Sequence, residues 1–272
     1  ERVLDAETQH LEQLVTSGSM SAHTPVGGYE LEGWLVDAGL HPCPRNELLL
    51  DAIDDVDLSP ELALFNFELN VEPGILQGDL LSRFHDRLQT DWQRCRQCAR
   101  DAGLDIIGIG ILPTLQDHDL SLDNISHLDR YRALNEHVLR LRAGKPIELN
   151  INGAEHLTSS HMDVMLEAAS TSLQIHIQVP QQQAVRYYNA SILLSPFTVA
   201  VAANSPFLFG KQLWEETRIP VFEQSVPTGG IGAAAAGPVQ RVGFGMDYAR
   251  ESLHECFAEN LEHYPVMLPV HF

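Results

Sequence analysis

The spacing of hydrophobic positions changes several times along this chain, and each change predicts an element. Val3, Leu4, Leu11, Leu14 and Val15 recur at near-helical intervals, which predicts an opening helix over residues 2–15. Small and polar residues at 16–27 form a loop. Strands are predicted at 28–37 and 64–72, on either side of a turn-rich segment holding Pro42 and Pro44. Residues 77–101 form a long amphipathic helix whose apolar stripe is Leu80, Leu81, Phe84, Leu88 and Trp92. Asp105 to Leu112 is a buried strand interrupted by glycines. A helix follows at 129–142, then strands at 146–151 and 171–179, with a helical turn from Asp163 to Ala169 leading into the second. Residues 184–203 are a long, largely apolar helix that stops at Asn204-Ser205-Pro206, where proline cannot continue it. His254 to Leu261 is helical again. No linker or internal repeat divides the chain, so residues 1–272 are read as one domain.

Within the strands, acidic residues take one parity. Glu30 and Glu32 are two apart and point the same way, as do Glu68, Asn70 and Glu72, with Phe65, Phe67, Leu69 and Val71 opposite them. Such a face either meets water or holds a hard divalent cation, for which carboxylate oxygens are the natural ligands. On the strand at 171–179, Gln174, His176 and Gln178 share one face; Leu173, Ile175, Ile177 and Val179 share the other.

Composition narrows the classes. A formal charge of −20 excludes a nucleic-acid binder, which needs Lys and Arg against phosphates, and an anionic membrane surface. No apolar run reaches ~18 residues, so no membrane span is expected. The first residues lack a basic segment followed by an apolar core, so no signal peptide is visible and a cytoplasmic location is expected. Of the four cysteines, Cys95 and Cys98 form a C-x-x-C, but no second pair completes a zinc site; plain reduced thiols are expected. The Gly-Ile repeat in Asp105 to Leu112 is not a G-x-G-x-x-G fingerprint and opens no helix, which excludes a dinucleotide site there. The glycine-rich stretch from Pro227 to Pro238 is expected to be a mobile loop over a site. The apolar ending Tyr264 to Phe272 is expected to be the point where a longer fold continues.

Four segments, in order between about residues 28 and 229, together resemble the glutamate–cysteine ligase family of plant and bacterial type, related to bacterial carboxylate–amine ligases. Gly28-Tyr29-Glu30-Leu31-Glu32 is similar to the family's opening G-x-E-x-E strand, and Glu68-Leu69-Asn70-Val71-Glu72 to its second acidic strand. Thr171-Ser172-Leu173-Gln174-Ile175-His176 resembles a third, although Gln174 stands where the carboxylate–amine ligases have histidine and His176 where plant-type members have asparagine. Ala202-Ala203-Asn204-Ser205-Pro206-Phe207, then Gly210-Lys211 and Arg218, match the most specific pattern. The resemblance implies an α+β, glutamine-synthetase-like fold, with a curved, mainly antiparallel sheet forming a funnel and helices outside. It implies an ATP-dependent ligase that phosphorylates the γ-carboxylate of glutamate and passes the acyl group to an amine, cysteine first among them.

That chemistry brings anions together, so it needs cations and fixed positive side chains more than a protein nucleophile. By resemblance, Glu30, Glu32, Glu68, Glu72 and His176 would hold Mg²⁺ or Mn²⁺, and Arg218 would act on the transferring phosphate. Lys211 would bind ATP, while Tyr131, Arg132, Gln174 and Asn204 would contact substrate. A closing strand with Arg and Glu would lie beyond Phe272. Each assignment has a plainer alternative: a solvated strand face for the carboxylates, a hydrogen-bonding role for His176, a surface ion pair for Arg218, a solvated helix for Tyr131 and Arg132, and a helix terminus for Asn204. At the level of the whole protein, the alternatives are another amine on the same scaffold, or a non-catalytic ligand-binding or regulatory homologue. The expected partners are ATP, glutamate and an amine, with a homo-oligomer left open.

Overall fold

The computed structural model describes residues 2–53, 57–226 and 242–264. The expected loop at 227–238 and all of the apolar ending but Tyr264 lie outside these residues.

The first element is α1 (Arg2–Thr16), followed by the long strand β1 (Val26–Val36) and α2 (Glu47–Ile53). Three short strands come next, β2 (Leu58–Pro60), β3 (Asn66–Asn70) and β4 (Gly74–Ile75), then α3 (Leu80–Asp101) and β5 (Asp105–Ile107). The chain continues through α4 (Asp129–Leu141), β6 (Ile147–Asn152), β7 (His156–His161), β8 (Leu173–Gln178) and α5 (Gln181–Ala202). It closes with β9 (Phe207–Leu208), β10 (Lys211–Gln212), α6 (Arg218–Ser225) and α7 (His254–His263). The fold is α+β, and every pairing between these strands is antiparallel.

β1 organises the main sheet. β3 and β4 pair along one of its edges, β8 and β5 along the other, and β2 extends the sheet beyond β3. Side chains opposite one another in an antiparallel ladder point to the same face. Glu32 is therefore on the same face as Glu68, and Glu30 on the same face as Asn70 and Gln174. The other face buries Leu35, Phe67 and Leu69 against Cys95 and Ala99 of α3. Phe67 lies over Gly33, where an added Cβ would come within 2.6 Å of its ring. At the far end of the polar face, Trp34 stacks on Phe65 with centroids 5.6 Å apart and joins a second core built on Ile111, Leu115, Met165 and the β6–β7 hairpin.

Three expectations are corrected. The stripe of α3 runs through Leu80, Phe84, Leu88, Trp92, Cys95 and Ala99, whereas Leu81 is 72% exposed. The strand expected over 105–112 is hydrogen-bonded as a strand only at Asp105–Ile107. Past that point the Ile109 carbonyl serves side chains instead, accepting from Trp34 Nε1 (2.9 Å) and Thr171 Oγ1 (2.7 Å). The strand expected at 64–72 ends at Asn70. None of the four cysteines forms a disulfide, and burial pushes the Cys43 and Cys98 thiols up, which favours the protonated, unreactive form. No helix among the described residues is long and apolar enough to cross a membrane.

The two small hairpins meet at a close backbone approach. A Cβ on Gly153 would sit 2.4 Å from Leu213 Cα. Backbone cannot swing aside as a side chain can, so Gly153→Ala is expected to destabilise the protein by ~1–3 kcal/mol. A denaturant titration checks this, and an unchanged midpoint would contradict it.

Candidate functional site

β1, β3 and the residue after β2 converge on a carboxylate trio. Glu32, Glu61 and Glu68 each offer one oxygen, and the three lie within 4.8 Å of one another, all partly buried. The ladder explains two of them, since Glu32 is registered directly opposite Glu68. The third arrives because β2 pairs with β3 in the register Ser59 to Glu68 and Pro60 to Phe67, which leaves Glu61 at the strand's exit.

Each carboxylate has its own donors. Ser172 donates to Glu32 from its backbone N–H (3.0 Å, Oε2) and its hydroxyl (2.9 Å, Oε1), and Gln174 Nε2 adds a third bond at 3.4 Å. Glu68 Oε1 accepts from Ser59 Oγ (3.0 Å) and Asn70 Nδ2 (2.9 Å). Glu61 accepts from the Leu62 N–H at 3.2 Å. Burial raises Glu32, and the hydrogen bonds from Ser172 partly oppose that rise. Glu61 is pushed up to about 8, first by burial and then by the charges of Glu32 and Glu68. Glu167, in the buried turn Met165–Ala169, is pushed up to about 7 by burial and by Glu32. Tyr131 joins the rim: its hydroxyl lies 3.4 Å from the Pro60 carbonyl and is pushed up to about 12, mainly by burial and next by Glu61. Arg130 caps it, with Nη2 donating to the Tyr131 hydroxyl at 2.7 Å and the guanidinium 4.6 Å from the ring centroid.

The donor set fits a hard divalent cation. Two oxygens bound to one Mg²⁺ at ~2.1 Å are at most ~4.2 Å apart. The trio's oxygens, within 4.8 Å of one another, would draw closer together around such an ion. Among the described residues no cationic side chain hydrogen-bonds to these three carboxylates, so they repel one another, and a bound cation would relieve that repulsion.

The other expected site residues fall in different places. Glu30 is on the polar face but pairs with His176, Nε2 to Oε2 at 3.2 Å, outside the trio. Glu72 is exposed, past the end of β3, and is not in the trio. Gln174 reaches the trio through Glu32. Asn204 Oδ1 accepts from the Gly110 N–H at 3.1 Å, so it holds a loop. Arg132 is exposed on α4. Lys211 opens β10 and pairs with Glu155 at 2.9 Å, both about half exposed. Arg218 forks onto Glu216, Nε to Oε1 at 2.5 Å and Nη2 to Oε2 at 2.6 Å, and its Nη1 donates to the Thr171 carbonyl at 2.9 Å.

The model for glutamate-cysteine ligase family 2 matches residues 27–253, a span that holds the trio, Ser172, Gln174 and Arg218. The chain belongs to glutamate–cysteine ligase family 2. No curated protein matches it. Membership brings ligase chemistry of the glutamate–cysteine type in general terms.

Sequence inspection missed Glu61, Ser172 and Glu216. For Glu61 a signal existed: it is the one charge in the run from Leu58 to Phe67, and an isolated carboxylate among apolar residues is seldom buried without a task. For Ser172 there was none, because its role depends on β8 lying beside β1.

Proposed function

We propose that this member of glutamate–cysteine ligase family 2 is an ATP- and Mg²⁺-dependent ligase that joins the γ-carboxylate of glutamate to an amine, cysteine being the first candidate. The observation that carries the proposal is the trio of Glu32, Glu61 and Glu68 on one sheet face within the span that matches the family. Glu32, Glu61 and Glu68 would hold Mg²⁺ or Mn²⁺. A bound cation screens phosphate charge as two anions approach.

The residues of the chain do the rest. Ser172, Ser59 and Asn70 fix the orientation of the carboxylates. The funnel expected from the family would place nucleotide and amino acid over the Glu30, Gln174 and His176 face. In the first step the γ-carboxylate oxygen of glutamate bonds to the terminal phosphorus of ATP and ADP leaves. In the second, the amine nitrogen bonds to the acyl carbon, phosphate leaves, and the amine loses its proton. Freeing Lys211 for nucleotide would cost little, since a half-exposed ion pair such as that with Glu155 is worth about 0–1 kcal/mol.

Phosphate release is the test, with ATP, Mg²⁺ and glutamate, with and without cysteine. Release that needs glutamate and the cation and is stimulated by the amine supports the proposal. Cation and nucleotide binding without release would instead favour a non-catalytic homologue.

A further inference from the structure

A polar network runs from Arg218 to Glu32 of the trio, and it explains an arginine that otherwise looks spent. Glu216 is 8% exposed and takes both prongs of the Arg218 fork. Ser205, fully buried, adds its hydroxyl to the same carboxylate at 2.6 Å. The guanidinium is thus fixed in a plane, and its remaining prong pins the Thr171 carbonyl. Thr171 is held on its other sides as well. Its N–H donates to Gly110 O at 2.8 Å, its hydroxyl donates to Ile109 O, and Trp34 Nε1 lies 3.1 Å from that hydroxyl. The approach is tight: a Cβ on Gly110 would sit 2.5 Å from Asn204 Oδ1 and 2.7 Å from Arg218 Nε.

The next residue is Ser172. Its N–H and hydroxyl grip both oxygens of Glu32, and its carbonyl accepts from the Glu32 N–H at 2.9 Å. We infer that Arg218 is a positioning residue, which acts through Thr171 and Ser172 to aim the Glu32 carboxylate at a divalent cation. This rests on the cation reading of the trio. Groups that orient a ligand commonly change metal affinity by about 10–100-fold when removed.

Mn²⁺ binding without nucleotide tests this directly, followed by the resonance of free Mn²⁺ in solution. Ser172→Ala removes only the hydroxyl and is expected to weaken Mn²⁺ by about 10-fold or more. Arg218→Lys keeps the charge but loses the fork and the Thr171 bond, and is expected to weaken Mn²⁺ in the same direction. The double variant should be little worse than the more severe single one, because the two groups act in series. Glu216→Gln is nearly the same shape and provides a second way to loosen the fork if Arg218→Lys does not fold. Wild-type Mn²⁺ affinity in either folded fork variant would overturn the inference, above all if Arg218→Lys raises KM for ATP instead, which marks direct contact with nucleotide. Failure of the wild-type protein to bind Mn²⁺ would remove the cation reading, and this inference with it. Binding by wild type with no change in the fork variants would remove this inference alone.

Discussion

Glu32→Gln is expected to lower glutamate-dependent phosphate release by about 10²–10³-fold, the scale of removing one well-placed electrostatic group from an active site, while the protein remains folded. Glutamine keeps the volume and can still accept from Ser172, so the β1–β8 contact survives. What disappears is one of the three carboxylate charges that would face a cation. The same change removes a charge that raises both Glu61 and Glu167, so the cation-free variant should melt no lower than wild type. Loss of turnover with undiminished stability separates a functional charge from a structural one. Phosphate release and a thermal melt on the same preparation give the answer. Near-wild-type turnover in a folded Glu32→Gln protein would end the trio's claim to the site. Glu72→Gln serves as the contrast: its carboxylate lies past the end of β3, and turnover should stay within a few-fold of wild type.

The second large effect is a dependence of stability on pH that a divalent cation reverses. Glu61 and Glu167 have folded-state pKa values pushed up to about 8 and about 7, against an ordinary value of 4.5. Between those limits the folded protein holds protons that the unfolded chain has released, so stability falls as pH rises. The stabilisation is fully present below about pH 4.5 and is lost as pH climbs through 7 and 8. Cation-free protein should therefore melt at progressively lower temperature from pH 5.5 to 8.5, by several degrees, since ~1 kcal/mol corresponds to ~2–4 °C in a chain of this size. Mg²⁺ or Mn²⁺ needs the deprotonated carboxylates, so its binding releases protons and tightens as pH rises. Melts in chelator and in Mg²⁺ should diverge with increasing pH. A melting temperature in chelator that rises across this range would show that Glu61 and Glu167 are not the buried, mutually repelling groups described.

What was legible in the sequence was local and periodic. The parity of Glu30, Glu32 and Glu68, and of Gln174 and His176, follows from the two-residue repeat of a strand, and the structure places all five on one face of the sheet. The helices expected at 2–15, 129–142 and 184–203 are found at Arg2–Thr16, Asp129–Leu141 and Gln181–Ala202, because their apolar spacing and the stop at Pro206 are properties of neighbouring residues. The four motifs in order were enough to point to the family that matches residues 27–253. Parity, however, gives a face and not a neighbour. Glu32 meets Glu68 because β1 and β3 pair in one particular register, and Glu61 joins them only because β2 pairs outside β3. Glu72 shares the parity but lies beyond the last paired residue of its strand. Arg218 shows the same division. The sequence identifies a guanidinium after a helix and a hairpin, with Glu216 two residues before it, but tertiary packing brings the Thr171 carbonyl to it from 47 residues away in the chain. Composition, periodicity and motif order are carried by the chain itself. Which carboxylates face one another, and which cation is already engaged, depends on contacts between distant segments, and these exist only once the sheet has formed.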